Sequence, residues 1–119
     1  MSAAQGPIKI GLVEALTGGY AQGSKDNQDA FNLYLASINN SVAGRTIQTI
    51  SADTNGQADA AAAKSRELVE NQKVQMLAGG QYTPECYAIA SYAKEAQEPF
   101  IASGSCGGQD LMYNPKFTS

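Results

Sequence analysis

The sequence of 119 residues contains no histidine and no tryptophan, and it has only two cysteines. The missing histidine removes the commonest general base and the commonest metal ligand of proteins. Two thiols without histidine also make a poor metal site. We therefore expect no catalytic residue, no bound metal and no cofactor, and we predict that the chain is not an enzyme.

Long apolar runs and clusters of positive charge are missing as well. No stretch approaches the ~20 apolar residues that a membrane-spanning helix needs, and the formal net charge is −3 with Lys and Arg scattered. Without a basic stripe, we expect no nucleic-acid partner. Residues 1–6 lack the basic start and apolar core of a signal peptide, and we expect a disordered or extended leader there. Length and composition indicate a single α/β domain over residues 1–119.

The strongest positive signal is the stretch Ile8–Gly23. Apolar residues alternate at its start, which predicts a buried strand, and the turn Thr17–Tyr20 with its paired glycines follows. A strand, a glycine turn and a helix open an α/β unit, in which the loop after the first strand lies where ligands bind. Paired glycines also let the backbone come close to a bound group, because no Cβ stands in the way.

The rest of the chain repeats the alternation of strand and helix. Such an alternation predicts three layers, with helices on both faces of a parallel sheet. Right-handed crossovers favour the strand order 2-1-3-4, a flavodoxin-like arrangement without its fifth strand, which we expect to begin near residues 116–119. The predicted strands are Ile8–Val13, Thr46–Ala52, Val74–Ala78 and Pro99–Ala102; the predicted helices are Gly23–Asn39, Gln57–Asn71 and Tyr82–Gln97, with a last helical turn at Gln109–Tyr113.

Small, hydroxyl and aromatic residues follow the first, third and fourth predicted strands. These strands are neighbours in the predicted order, so the loops after them should meet at one rim of the sheet. Two helices begin beside this rim, and helix N-termini favour a carboxylate or another anion. The loops either form a polar cradle for a small organic acid or amino acid, or only make tight turns. The candidate ligand-binding residues are Thr17, Gly19, Tyr20, Gln81, Tyr82, Thr83, Ser103, Gly104, Ser105 and Cys106.

Both cysteines, Cys86 and Cys106, are expected near this rim. A disulfide between them is the first interpretation, and closing a loop of this size would contribute roughly 3 kcal/mol. Two separate buried thiols are the second. Gly104–Gly108 also fits the G-x-C-x-G pattern of a nucleophile that follows a strand, but the chain has no histidine to serve as its base.

Two carboxylates, Glu14 and Asp53, end the first and second predicted strands. They could pair across the rim as acid and base. Alternatively, such residues cap the next helix or hold a loop. A third possibility is that Asp53 contacts the ammonium group of a ligand.

Six separate blocks of the sequence share the pattern of one known family: Ile8–Gly23, Lys25–Asp29, Val42–Ile47, Ala52–Thr54, Ala63–Val69 and Tyr92–Ile101. They resemble the periplasmic solute-binding proteins of ABC importers, of the branched-chain-amino-acid (Leu/Ile/Val) type. The resemblance implies two α/β lobes of the type 1 fold that close on a ligand, an importer permease as partner, and a periplasmic or extracellular location. It covers the N-terminal part of the first lobe only.

The resemblance also implies positions that contact the ligand. The family's loop after the third strand supplies a hydroxyl to the ligand carboxylate, and Thr83 matches that position. Its loop after the fourth strand supplies backbone and hydroxyl contacts, which match Gly104 and Cys106. Many relatives have Ser or Thr where Cys106 stands, and a disulfide would remove this contact. Relatives bind amino acids, amides and aromatic acids.

An isolated lobe would cover only one side of a ligand, whereas tight sites bury ~70–90% of a ligand's surface. We therefore expect weak binding or none by this chain alone. An uncovered sheet edge or helix face also predicts that the chain self-associates, as a homodimer. The alternatives to a solute receptor are a flavodoxin-like redox protein and a sensor domain of the same fold.

Overall fold

The computed structural model describes residues 6–113, so all but Gly6 of the leader expected at residues 1–6, and the further strand expected near 116–119, lie outside the described part. All predicted helices and strands are present, with ends that shift by at most two residues. None of the described helices is long and apolar enough to cross a membrane. The elements are β1 (Ile8–Glu14), α1 (Ala21–Ser37), β2 (Ser41–Val42), β3 (Arg45–Asp53), α2 (Ala58–Glu70), β4 (Met76–Gly79), α3 (Thr83–Ala96), β5 (Phe100–Ala102) and α4 (Gln109–Tyr113).

The sheet has the order β2-β3-β1-β4-β5. Its four longer strands run parallel and confirm the predicted order. The prediction was incomplete at one edge, where the short β2 pairs antiparallel with β3. Ala43 and Gly44 both have positive φ, 51° and 76°, as a two-residue hairpin turn requires. A two-residue strand carries no periodic pattern, which is why the sequence did not reveal it.

Helices cover both faces of the sheet, as predicted. On one face, Val13 and Leu77 pack against Ile89 of α3 and the apolar side of α2. On the other, Leu12 lies in a smaller apolar cluster with Phe31 of α1. Helix α2 packs tightly on the sheet at Gly11, where an added Cβ would lie 2.9 Å from a methyl carbon of Leu68.

The α1 face of the sheet is only partly covered within residues 6–113. Leu33 and Tyr34 of α1 are 75% and 65% exposed, and Ile101 of β5 is 59% exposed. Tyr34 belongs to the apolar repeat that predicts α1, but its side chain is mostly exposed. The strand register continues Leu12 and Ala78 into Ile101, so an apolar row crosses the sheet and ends in solvent.

Candidate ligand-binding site

The loops after β1, β4 and β5 lie at the same end of the sheet. Backbone hydrogen bonds continue the sheet past the strand ends, from Gly80 N to Val13 O at 2.9 Å and from Ser103 N to Gly79 O at 3.0 Å. An added Cβ on Gly104 would lie 2.1 Å from the Gly80 carbonyl oxygen. The two later loops therefore pack backbone against backbone, and only glycine fits at this contact.

Asp53 orders the loop after β1. Its carboxylate accepts hydrogen bonds from the Leu16 amide at 2.9 Å, the Thr17 amide at 3.2 Å and the Thr17 hydroxyl at 2.7 Å. Desolvation acts to raise the pKa of Asp53, but these donors and the Asn55 amide lower that pKa overall. Asp53 thus holds the loop, the second of the roles predicted for it, and the Thr17 hydroxyl is already committed to it.

Two tyrosines form an aromatic platform on the rim. The rings of Tyr20 and Tyr82 stack with centroids 4.6 Å apart and planes 3° from parallel. The Tyr82 hydroxyl donates a hydrogen bond to the Gly56 carbonyl, which fixes the inner ring. Tyr20 is 46% exposed, so part of its ring is open to a flat group. Gly19 precedes it and is exposed.

A buried carboxylate supports the loop after β4. Glu85 is fully buried, accepts a hydrogen bond from the Thr54 hydroxyl, and accepts another from the Gln81 amide at 2.6 Å. The sequence analysis missed Glu85. A usable signal was present, because Glu85 is the third residue of α3, where Glu often accepts a hydrogen bond from the preceding backbone.

Thr83 braces the loop after β5. Its hydroxyl donates to the Ser105 carbonyl at 3.4 Å and accepts from the Gly107 amide at 3.2 Å. The long bond to Ser105 is weak, so a ligand oxygen could take its place. Ser105 itself is exposed at the rim.

The predicted disulfide is present, between Cys86 and Cys106, with a Cα–Cα distance of 5.8 Å. It joins the first turn of α3 to the loop after β5. The Cys106 amide donates to the Gly104 carbonyl at 2.8 Å, and a disulfide sulfur has no proton. The side chain of Cys106 therefore offers a ligand no hydrogen-bond donor, and neither cysteine is a nucleophile.

Gln81 and Ser103, the remaining predicted residues, point toward the α1 side of the rim. The Gln81 side chain accepts a hydrogen bond from Asn27 at 2.9 Å. Ser103 donates to Glu14 at 3.4 Å. Burial raises the pKa of Glu14 to about 7, and the nearby hydroxyls of Ser24 and Ser103 offset part of that rise.

The first turns of α1 and α3 begin at the rim, where the Ala21 amide already donates to the Gly18 carbonyl at 3.2 Å and Pro84 has no N–H group. Their N-cap residues are Tyr20 and Tyr82, and neither makes a side-chain capping bond. Uncapped N–H groups at a helix start attract anions. Within residues 6–113, no group of three or more acidic or cysteine side chains is arranged to hold a metal ion.

Comparison with known proteins gives a consistent result. A family model described as periplasmic binding protein matches residues 7–118. A Brucella abortus protein named Leu/Ile/Val-binding protein homolog 6 is 27% identical over 110 residues, which are 91% of this chain and 28% of that protein. The chain therefore spans less than a third of the length of this curated relative.

Two solved structures share the fold. An ABC transporter substrate-binding protein from Sphaerobacter thermophilus has a TM-score of 0.89 and 29% identity, over 95% of this chain and 30% of that one. A solute binding protein of an ABC transporter from Rhodopseudomonas palustris, in complex with 3,4-dihydroxybenzoic acid, has a TM-score of 0.79 and 34% identity. That match covers 82% of this chain and 27% of the other.

Proposed function

The chain belongs to the periplasmic binding protein family, and from this premise we propose that its rim is one half of a binding site for a small carboxylic acid. The proposed role is that of a receptor which captures the acid for an ABC importer, without chemical conversion. Its fold is a partial domain of the type 1 periplasmic-binding-protein architecture.

The observation that carries this proposal is the pair of uncapped helix starts beside an open tyrosine ring. The first-turn N–H groups of α1 and α3 suit the carboxylate,. The outer face of Tyr20 suits the apolar body of the ligand, because flat rings stack on aromatic side chains. The Asp53 and Glu85 hydrogen bonds hold the two loops in place before the ligand arrives.

The ligand class is proposed as an aromatic or branched-chain acid. The relative from Rhodopseudomonas palustris was solved with 3,4-dihydroxybenzoic acid, and the Brucella relative is named for leucine, isoleucine and valine. The exposed face of Tyr20 favours the aromatic acid. No histidine is available as a base, in keeping with a receptor.

The rest of the site is proposed to lie on a second lobe. The relatives are more than three times as long as the matched region, and the rim described here faces a ligand from one side only. We therefore propose that residues 1–119 form part of a first lobe, that closure needs a second lobe, and that an importer permease is the partner. A periplasmic or extracellular location follows from the same proposal.

Titration of the chain with 3,4-dihydroxybenzoate or isoleucine, followed by ¹H–¹⁵N NMR, tests the proposal. We expect saturable, millimolar-range shifts of the amide signals of Gly19, Thr83 and Gly104, because a half-covered ligand binds weakly. Catechol, which lacks the carboxylate, should not shift them. Equal shifts with catechol, or no shifts at the rim, would contradict the proposal.

A matched pair of variants separates the rim from the rest of the surface. Tyr20→Leu should weaken binding of 3,4-dihydroxybenzoate by roughly 2- to 10-fold, since an aromatic contact is worth about 0.5–1.5 kcal/mol. Tyr34→Leu changes an exposed tyrosine of α1 that is not among the rim residues, and it should leave that affinity unchanged. The flavodoxin-like alternative predicts instead a yellow protein that binds flavin.

A further inference from the structure

The Cys86–Cys106 disulfide connects the first turn of α3 to the loop after β5, next to the Gly80 backbone. An added Cβ on Gly80 would lie 2.6 Å from the Cys86 sulfur and 3.3 Å from the Cys106 sulfur. Cys86 is also fully buried, in an apolar cluster with Ala90 and Leu111. Close packing therefore leaves the Cys86 sulfur little room to move.

The residues on either side of Cys106 are the partners of Thr83. The Thr83 hydroxyl donates to the Ser105 carbonyl at 3.4 Å and accepts from the Gly107 amide at 3.2 Å. Ser105 also forms an isolated parallel bridge with Tyr82. These contacts are few, and the bond to Ser105 is long and weak. The disulfide is thus the covalent tie that keeps the loop after β5 against the start of α3.

Reduction of this disulfide would force its two sulfur atoms apart. Bonded sulfur atoms lie about 2.05 Å from each other, whereas non-bonded heavy atoms in contact keep a distance of about 3.5–4 Å. Cys86 is enclosed, whereas Cys106 is partly exposed. The movement therefore falls on Cys106 and, through the main chain, on Ser105 and Gly107.

We propose that this disulfide is a redox-sensitive switch for the rim. When it is closed, it holds Ser105 and Gly107 against Thr83, and when it is open, the loop moves away and binding of the acid weakens. This inference rests on the proposed receptor function, because Thr83 and the loop after β5 are candidate contacts of the ligand. It adds to that function a means by which a reductant regulates the same site.

Opening the switch is a thiol–disulfide exchange, and the reductant is a dithiol. One thiolate of the dithiol attacks the sulfur of Cys106, the more exposed cysteine. The sulfur of Cys86 leaves with the electron pair of the S–S bond and takes up a proton. The second thiolate then attacks the dithiol sulfur of the mixed disulfide and releases Cys106, which is protonated in turn. The protein gains two hydrogen atoms, and the dithiol becomes a disulfide.

NMR spectra of the oxidised and reduced protein without ligand test the movement of the loop. Dithiothreitol is the dithiol, and mass spectrometry verifies the gain of two hydrogen atoms. We expect the nuclear Overhauser contact between the Thr83 side chain and the Gly107 amide to disappear on reduction and to return on reoxidation. Contacts between β1 and β3 should remain, as evidence that the reduced protein is folded. A Thr83–Gly107 contact that survives reduction, or a disulfide that dithiothreitol cannot open in the folded protein, would overturn the inference.

Titration with 4-hydroxybenzoate, a carboxylate without an oxidisable catechol, measures the effect on the rim. Reduction should weaken binding by about 2- to 10-fold, the effect of losing a hydrogen bond. The double variant Cys86→Ala, Cys106→Ala is the matched control, since it should bind as weakly as the reduced protein and should not respond to dithiothreitol. A disulfide that only adds stability would leave the affinity of the folded protein unchanged, so equal affinity of the oxidised and reduced proteins would contradict the inference.

The two measurements also separate this inference from the proposed function. If neither form binds 4-hydroxybenzoate although the Thr83–Gly107 contact responds to reduction, the proposed function fails and the redox-dependent movement of the loop stands. If the oxidised protein binds the acid and reduction changes neither the contact nor the affinity, the receptor function stands and the switch is refuted.

Discussion

The Thr54 hydroxyl donates a hydrogen bond to the buried carboxylate of Glu85, so the turn after β3 is tied to the start of α3. The second oxygen of Glu85 accepts from the Gln81 amide at 2.6 Å. One side chain thus links two of the loops that surround the rim. Breaking such a buried hydrogen bond is costly, because it leaves its partner unsatisfied.

We expect Glu85→Gln to lower the free energy of unfolding by about 1–3 kcal/mol, because the amide cannot accept both hydrogen bonds in the same geometry. Urea denaturation followed by circular dichroism would measure this loss. Glu67→Gln is the matched control, since Glu67 is exposed on α2 and should shift stability by less than about 0.5 kcal/mol. Equal effects of the two changes would show that Glu85 is not a support.

The Cys86–Cys106 disulfide closes a loop with a sequence separation of 20. Restricting the unfolded chain in this way should contribute roughly 3 kcal/mol. Reductant should therefore lower the urea midpoint of the wild type to that of the double variant Cys86→Ala, Cys106→Ala. The double variant itself should not respond to reductant, and a wild type that does not respond would contradict the prediction.

Gly104 and Gly107 offer a matched pair within one loop. An added Cβ at Gly104 would lie 2.1 Å from the Gly80 carbonyl oxygen, whereas at Gly107 nothing lies within 4 Å. We expect Gly104→Ala to cost about 1–3 kcal/mol, because the backbone of one loop must move. Gly107→Ala should change stability by less than about 0.5 kcal/mol. Thermal unfolding of the two variants side by side would decide.

Self-association of the chain is a further prediction. Leu33, Tyr34 and Ile101 are each more than half exposed, and β5 is the edge of the sheet within residues 6–113. An open edge next to apolar side chains favours pairing with a second copy. Light scattering at ~100 μM should report a homodimer, and Ile101→Lys should shift it toward monomer. A monomeric wild type at that concentration would contradict the prediction.

Periodicity was sufficient to predict most of the fold. Apolar residues alternate in β1 and recur every three to four residues in α1, α2 and α3, because one side of each element is buried. Strand β2 has only two residues, which are too few to show a periodic pattern. Periodicity also gave one wrong indication of burial: the spacing of Tyr34 fits the buried repeat of α1, but its side chain is 65% exposed.

The candidate site was predicted in outline but not in its interactions. Glycines and hydroxyl residues at strand ends located the rim, because small residues are needed where loops approach closely. The partners of Thr17 and Thr83 could not be predicted, since Asp53 and Ser105 come into contact with them only through the folded sheet. The Tyr20–Tyr82 stack joins residues 62 apart for the same reason.

The last prediction concerns Glu14, whose pKa is raised from 4.5 to about 7 by burial. A carboxyl with a raised pKa in the folded state favours folding most when it is protonated. Its contribution is thus complete below about pH 4.5, falls as the pH rises to about 7, and amounts to about 3 kcal/mol at most, from 1.36 kcal/mol per pKa unit. Asp53 has a lowered pKa in the folded state, so it stabilises the fold when it is ionised, and this stabilisation is lost as the pH falls.

We expect Glu14→Gln to remove this term, because the neutral amide mimics the protonated carboxyl. Its free energy of unfolding should match that of the wild type near pH 4.5 and exceed it by about 3 kcal/mol above pH 7. Urea denaturation of both proteins across this range would measure the difference, and Asp53 cancels because both proteins contain it. A difference that does not vary with pH would mean that the carboxyl of Glu14 has an ordinary pKa, and hence that water reaches it.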